Sequence, residues 1–310
     1  MNWFLAAVAS LGSFASAQQD PSRLTESAAT SVPTLRESAA LDQLGLEEEN
    51  AFAPETMGDD DIGQQLILKE TPRDRWFRAY ADTFAFWTTN AANVSAGEQE
   101  DWYWGGRVGL GYQPRLANRL FADIDVGQQF VRYDKFEALD FENLEASASL
   151  IYIEPKLAST LFFLGVQYQR ITSDTFGDEL YNSYSLRAGA QKVFLLNRKN
   201  SIHLSILADR DLDTDVDQLY RDEYLADVAW RYKLMRYLSV ALSYRATWLD
   251  YREVDRQDWL HLAGVSISYQ PRPWLEVYLA TSYVMNRSNV EVFAYETATV
   301  GLGLGVKMKF

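Results

Sequence analysis

From about residue 74 to the last residue, apolar and polar positions alternate in unusually long segments. Leu238, Val240, Leu242, Tyr244, Ala246 and Trp248 share one face, and Ser239, Ala241, Ser243, Arg245 and Thr247 the other. Val300, Leu302, Leu304, Val306, Met308 and Phe310 oppose Thr299, Gly301, Gly303, Gly305, Lys307 and Lys309. Phe162, Leu164, Val166 and Tyr168 oppose Gly165, Gln167 and Gln169, while Tyr224, Ala226, Val228, Trp230 and Tyr232 oppose Asp227, Ala229, Arg231 and Lys233. Successive side chains on a strand point to opposite faces, so a period of two predicts strands with one apolar and one polar face.

Twelve such segments can be counted: 76–90, 101–114, 118–134, 142–156, 159–174, 181–195, 200–213, 221–234, 237–251, 257–270, 273–287 and 294–310. Their connections alternate in length. Short turns lie at 114–116, 155–157, 197–199, 234–236 and 271–273; longer polar links lie at 91–100, 135–141, 175–180, 214–220, 252–256 and 288–293. Short periplasmic turns, longer outer loops and an even strand number are the pattern of outer-membrane barrels. The segments also exceed the five or six residues of an ordinary soluble strand and the roughly 9–11 that a tilted strand needs to cross hydrocarbon. The predicted fold is all-β: an antiparallel transmembrane β-barrel of about 12 strands over residues 74–310, with both ends on the periplasmic side.

The preceding residues have another character. A short apolar stretch from Met1 to Phe14 ends in Ala15-Ser16-Ala17, an A-x-A cleavage signal, although no Lys or Arg precedes it. Residues 1–17 are therefore expected to be a signal peptide. Residues 18–73 form an acidic arm rich in Ser, Ala, Glu, Asp and Pro, with Phe52 its only aromatic before residue 71. Such a composition buries too little apolar surface to offset the entropy of ordering, so a mostly disordered periplasmic arm is expected. The charge separates in the same way. Residues 18–70 carry 12 Asp/Glu against Arg23, Arg36 and Lys69, hence −9 of the chain's −14, and residues 1–17 carry none. The remaining −5 belongs to residues 71–310, a nearly balanced body without a basic nucleic-acid patch.

Aromatic residues make up 14% of the chain, and many lie toward segment ends. Trp76, Trp102, Tyr103, Trp104, Tyr112, Tyr152, Tyr168, Tyr232, Tyr237, Trp248, Tyr251, Trp259, Tyr269 and Trp274 are expected to form two interfacial girdles. After Ala17 no run of about eighteen apolar residues occurs, which excludes a spanning helix there. Cysteine is absent, which excludes disulfides, thiolate metal ligands and a cysteine nucleophile.

The last strand ends on Phe310 after alternating Leu304, Val306 and Met308. It resembles the C-terminal strand of outer-membrane barrels, whose terminal aromatic is the signal read by the barrel-assembly machinery. The stretch from Trp274 to Phe310, with Asn286-Arg287-Ser288-Asn289 leading into a Gly/Leu-alternating strand, also resembles the β-barrel porin type 2 family. That resemblance implies a barrel and, by the family's name, a pore. It implies no particular solute.

Little in the chain suggests catalysis. His203 and His261 are its two histidines, and neither lies in a serine-hydrolase motif. Asp59-Asp60-Asp61 and the alternating Asp211, Asp213, Asp215 and Asp217 lack the glycine and closing glutamate of a calcium loop, so they read as solvated acidic runs. Gly301, Gly303 and Gly305 read as making room inside a barrel. Arg107, Asp123, Asp125, Glu145, Arg187, Asp209, Asp227, Arg231, Arg245 and Glu276 fall on polar faces and are the candidate lumen-lining residues. Four arginines against six acids indicate no strong ion selectivity. The expected function is a narrow, non-enzymatic, porin-like channel for passive diffusion of ions or small polar solutes, needing no cofactor or metal. The alternative is a non-conducting outer-membrane anchor for an envelope or exopolysaccharide export system. Expected partners are outer-membrane lipid and lipopolysaccharide, the assembly machinery and a periplasmic protein reached through the acidic arm.

Overall fold

The computed structural model describes residues 75–157, 160–173 and 177–310. The expected signal peptide and acidic arm lie outside the described residues. The first four strands are β1 (Phe77–Thr88), β2 (Asp101–Tyr112), β3 (Arg115–Ala117) and β4 (Leu120–Tyr133). They are followed by β5 (Phe141–Glu154), β6 (Thr160–Thr172), β7 (Glu179–Leu195), β8 (Asn200–Thr214) and β9 (Arg221–Met235). The last four are β10 (Leu238–Tyr251), β11 (Arg256–Arg272), β12 (Leu275–Ser288) and β13 (Tyr295–Lys309).

Each long strand pairs antiparallel with the next, β2 pairs directly with β4, and β1 pairs with β13 to close the ring. The result is a closed antiparallel barrel of twelve long strands, with the three-residue β3 folded into the turn between β2 and β4. At the seam, Phe77 N donates to Phe310 O at 3.1 Å and Phe310 N to Phe77 O at 3.0 Å. The Phe77 ring stacks on Tyr112 at 4.6 Å and on Phe310 at 6.2 Å. Closure leaves no unpaired strand edge, which is what a sheet in hydrocarbon requires. A 14-residue strand extends about 47 Å, or roughly 36 Å along the axis when tilted by about 40°, enough to cross the apolar layer.

The two faces are inverted relative to a soluble protein. Val108, Leu110, Leu164, Ile206 and Leu302, near strand centres, point outward and are more than half exposed, at 53–66%. Asp82, Gln129, Asn143, Ser185, Ser266, Ser282 and Thr299 point inward and are buried. Outward aromatics gather near both ends. Trp102, Trp104, Tyr184, Tyr224 and Trp259 ring the loop end; Trp76, Phe77, Tyr152, Phe162, Tyr237, Tyr269 and Trp274 ring the turn end, where the two seam ends meet. Tyr103 and Tyr251, expected in the girdles, instead turn inward and are 2% and 4% exposed. They sit one position out of phase with Trp102 and Trp104, and with Asp250, so the strand period forbids them the outer face.

The interior has two tiers. At the loop end Phe84, Phe86, Tyr103, Val131, Tyr133, Phe141, Ile171, Tyr181, Leu249 and Tyr251 pack into one apolar cluster. Leu219, Phe136, Leu139 and Val216 reach it from the β8–β9 and β4–β5 loops, each of which contains a single 3-10 turn. Removing such side chains from water is worth roughly 1.5–3 kcal/mol each, so the loops are drawn into the barrel mouth. Buried polar groups hold them there. Asp101, 1% exposed, accepts from the backbone N–H groups of Trp102 (2.8 Å), Lys135 (3.0 Å) and Phe136 (3.1 Å).

Candidate functional site

Below the apolar tier, toward the turn end, the inner wall is mostly polar, with Ile151 and Leu161 as buried apolar positions near the β5–β6 turn. Register places Arg107, Asp123, Asp125, Glu145, Arg187, Asp209, Asp227, Arg231, Arg245 and Glu276 at inward-facing positions of six strands between β2 and β9 or of β10 and β12. Two pairs of them are direct cross-strand neighbours. Arg187 Nε lies 3.0 Å from Asp209 between β7 and β8, and Arg245 Nε 3.3 Å from Asp227 between β10 and β9. Arg187 also donates to Gln167 on β6.

Other pairs step over one strand, and glycine makes the step possible. Arg107 on β2 reaches Glu145 on β5 at 3.2 Å, crossing β4 at Gly127, where a Cβ would come within 3.1–3.2 Å of the guanidinium. Arg78 on β1 reaches Asp123 at 2.9 Å and Asp125 at 2.7 Å on β4, crossing β2 at Gly111, where a Cβ would lie 2.2 Å from Arg78 Nε. Tyr80 donates to Asp125 at 2.8 Å, its ring lying over Gly109 and the Arg107 guanidinium 5.5 Å from the ring centre. Every one of these ion pairs therefore runs along the wall, between neighbouring or next-but-one strands. Meanwhile Ser239, Ala241 and Ser243 on β10 and Gly264, Ser266 and Ser268 on β11 present a wall of small side chains.

Arg231 faces inward opposite Ser201 and Ala241, and Glu276 faces inward opposite Gly305. Sequence reasoning missed Arg78, Tyr80 and Asp82, which carry much of the wall's chemistry. On β1 both faces hold apolar or small residues, because Phe84 and Phe86 point inward while Ala79, Ala81 and Ala85 point outward. The alternation of Arg78, Tyr80 and Asp82 against alanine and threonine was the available signal.

His203 lies inside and buried, with Nε2 3.2 Å from the Oγ of Ser201, two residues away on the same strand. Its register partners are Val193 and Ala229, so no carboxylate orients it from either side strand. His261 lies outside, its Nδ1 2.8 Å from the Tyr244 hydroxyl and its ring parallel to Trp259 at 6.2 Å. That is an interfacial aromatic stack. Of the acidic runs, Asp59–Asp61 lie outside the described residues. Asp211 accepts from Arg221 N at 3.1 Å and Asp215 from Asn182 N at 2.8 Å, both as loop fasteners. No cluster of three or more metal-ligating side chains occurs among the described residues. The glycines of β13 do make room: the Phe86 ring lies over Gly301 and the Tyr278 ring over Gly303.

No family model matches the chain, and no curated protein matches it. Among solved structures, an outer-membrane channel from Pseudomonas putida F1 superposes over 77% of this chain and 99% of its own, at TM-score 0.54 and 15% identity. The NanC porin covers 74% of this chain and 100% of its own at TM-score 0.44 and 12% identity. The KdgM porin covers 73% and 98% at TM-score 0.39 and 12% identity. The first likeness shows that the chain has the fold of an outer-membrane β-barrel; the other two are too distant to add to it.

Proposed function

We propose that this chain is a narrow outer-membrane channel for ions or small polar solutes, of the porin type 2 family, with a gate at its loop end. The course of the ion pairs carries this reading. Charges meant to fill a barrel would reach across its axis, whereas Arg78, Arg107, Arg187 and Arg245 are folded flat against the wall. Beside the serine wall of β10 and β11 they give the proposed path along the axis its polar lining. The apolar tier above is the gate, since a hydrophobic constriction stops ions by excluding water. The chain acts without covalent chemistry. Residues 1–17 direct export, residues 18–73 remain in the periplasm, and Phe310 serves the assembly machinery. The outer surface meets lipid and lipopolysaccharide.

One observation favours a second reading. The same apolar tier, if it never parts, makes a closed anchor whose contact with an envelope export system is the acidic arm. Liposome swelling separates the two. Proteoliposomes of the folded barrel should swell in small sugars or amino acids at a rate that rises when the loop tier is loosened. No swelling by wild type or by loosened variants overturns the channel.

A further inference from the structure

Where the polar wall meets the apolar cluster, to which Tyr278 itself belongs, two buried side chains lack hydrogen-bond partners among the described residues. Asp82 on β1 is 8% exposed, and neither carboxylate oxygen has a hydrogen-bond partner among the described residues. Tyr278 on β12 is 3% exposed, and its hydroxyl likewise has none. Leaving buried polar groups unpaired costs about 1–3 kcal/mol each, so water or a bound ion is expected to meet them.

The register brings them together. Asp82 and Glu276 both stand opposite Gly305 of β13, one from each side. Two strand spacings put their Cα atoms about 10 Å apart, with no side chain between them on the strand they flank. Tyr278 stands opposite Gly303, and its ring leans over that glycine, where a Cβ would meet the hydroxyl at 2.3 Å. The hydroxyl thus lies over β13, where Gly303 stands opposite Phe84 of β1, two residues from Asp82. Arg107 is the direct neighbour of Asp82 on β2, yet its guanidinium is given to Glu145 at 3.2 Å and lies over Tyr80.

We infer that Asp82, Glu276 and Tyr278 form a cation-binding station in the barrel wall, which takes an alkali or alkaline-earth ion through its protein oxygens and water. Hard cations prefer oxygen ligands of this kind, and a retained hydration shell completes the set. The inference deepens the channel reading: the station sits where the apolar gate meets the polar wall, on the proposed path, where it holds a cation against the wall.

The test has two arms on the full, refolded barrel. In the first, calorimetry with CaCl2 in detergent measures binding without any need for conduction. Wild type should bind calcium, Asp82→Asn should weaken binding at least tenfold and Tyr278→Phe several-fold. Glu137→Gln, a change at an exposed loop carboxylate, should leave it unchanged. In the second, reversal potentials in a KCl gradient should show the cation-to-anion permeability ratio falling several-fold in Asp82→Asn/Glu276→Gln. Heat-modifiable migration on gels confirms that each variant is folded. Calcium binding and permeability ratios unchanged by the variants overturn the station. Binding lost in Asp82→Asn while every form stays silent in the bilayer upholds the station and overturns the channel.

Discussion

Arg256 and Asp258, two residues apart on β11, form an ion pair at 2.5 Å in which the side chains are 4% and 0% exposed. The guanidinium is clamped between the rings of Tyr251, 4.0 Å from its centre, and Phe293, at 3.7 Å. Asn286 donates to Phe293 O at 2.8 Å and to Asp258 at 3.4 Å. One buried pair therefore ties the β12–β13 loop to the barrel mouth, four strands around the ring from the Asp101 fastener on β2.

Breaking this pair should open the mouth. Removing one member of a buried ion pair leaves an uncompensated partner and costs about 3–5 kcal/mol. Asp258→Asn, which keeps the shape, is expected to lower the unfolding midpoint in urea, read from heat-modifiable migration. It should also raise trypsin cleavage after Arg287 and lengthen channel openings. An unchanged midpoint and cleavage pattern would show that the pair does not fasten the loop.

The two faces predict opposite responses to one substitution. Leu302 points to lipid near the middle of β13, so Leu302→Arg should destabilise the folded barrel by roughly 2–4 kcal/mol. Ser243→Arg, on the inward face of β10, should fold with a far smaller loss and instead reduce conductance. Folding equilibria in lipid vesicles, followed by tryptophan fluorescence, distinguish the outcomes.

Glycine at the wall should matter where a Cβ would meet a packed neighbour. A Cβ at Gly109 would stand 2.3 Å from the Tyr80 ring, so Gly109→Ala must displace the ring and its bond to Asp125. Such overpacking costs about 1–3 kcal/mol. At Gly264 a Cβ meets only Ser243 Oγ at 2.9 Å and Thr281 O at 3.7 Å. The hydroxyl can rotate away, so Gly264→Ala should be neutral within about 1 kcal/mol. Urea unfolding of both variants measures the difference.

Charge at the turn end should set ion preference. Arg78→Gln strips Asp123 and Asp125 of the cation that holds both. Reversal potentials in a KCl gradient should move toward cations in Arg78→Gln and toward anions in Asp123→Asn/Asp125→Asn. Equal potentials would place this triad off the conducting path.

The twelve long strands were legible within a few residues because a half-lipid, half-water strand must alternate at every step. The inward positions of charges such as Arg187 and Asp227 follow from the same parity. What the period does not carry is content. Tyr103 and Tyr251 look like girdle residues by type but belong to the inner cluster by parity, and an apolar inner face at one end erases the contrast that alternation needs. For that reason β1, with Phe84 and Phe86 inward, hid Arg78, Tyr80 and Asp82. The fasteners Asp101 and Asp258 were equally hidden, since their partners are loop amides and an arginine fixed only by the fold.

Single-channel recording of the refolded barrel in a planar bilayer, beside Asp258→Asn and a form lacking residues 18–70, tests the central claim most directly. A gated channel predicts discrete steps of one size in all three, with Asp258→Asn open longest. Silence from all three, in protein shown to be folded, would contradict it and leave a closed outer-membrane anchor.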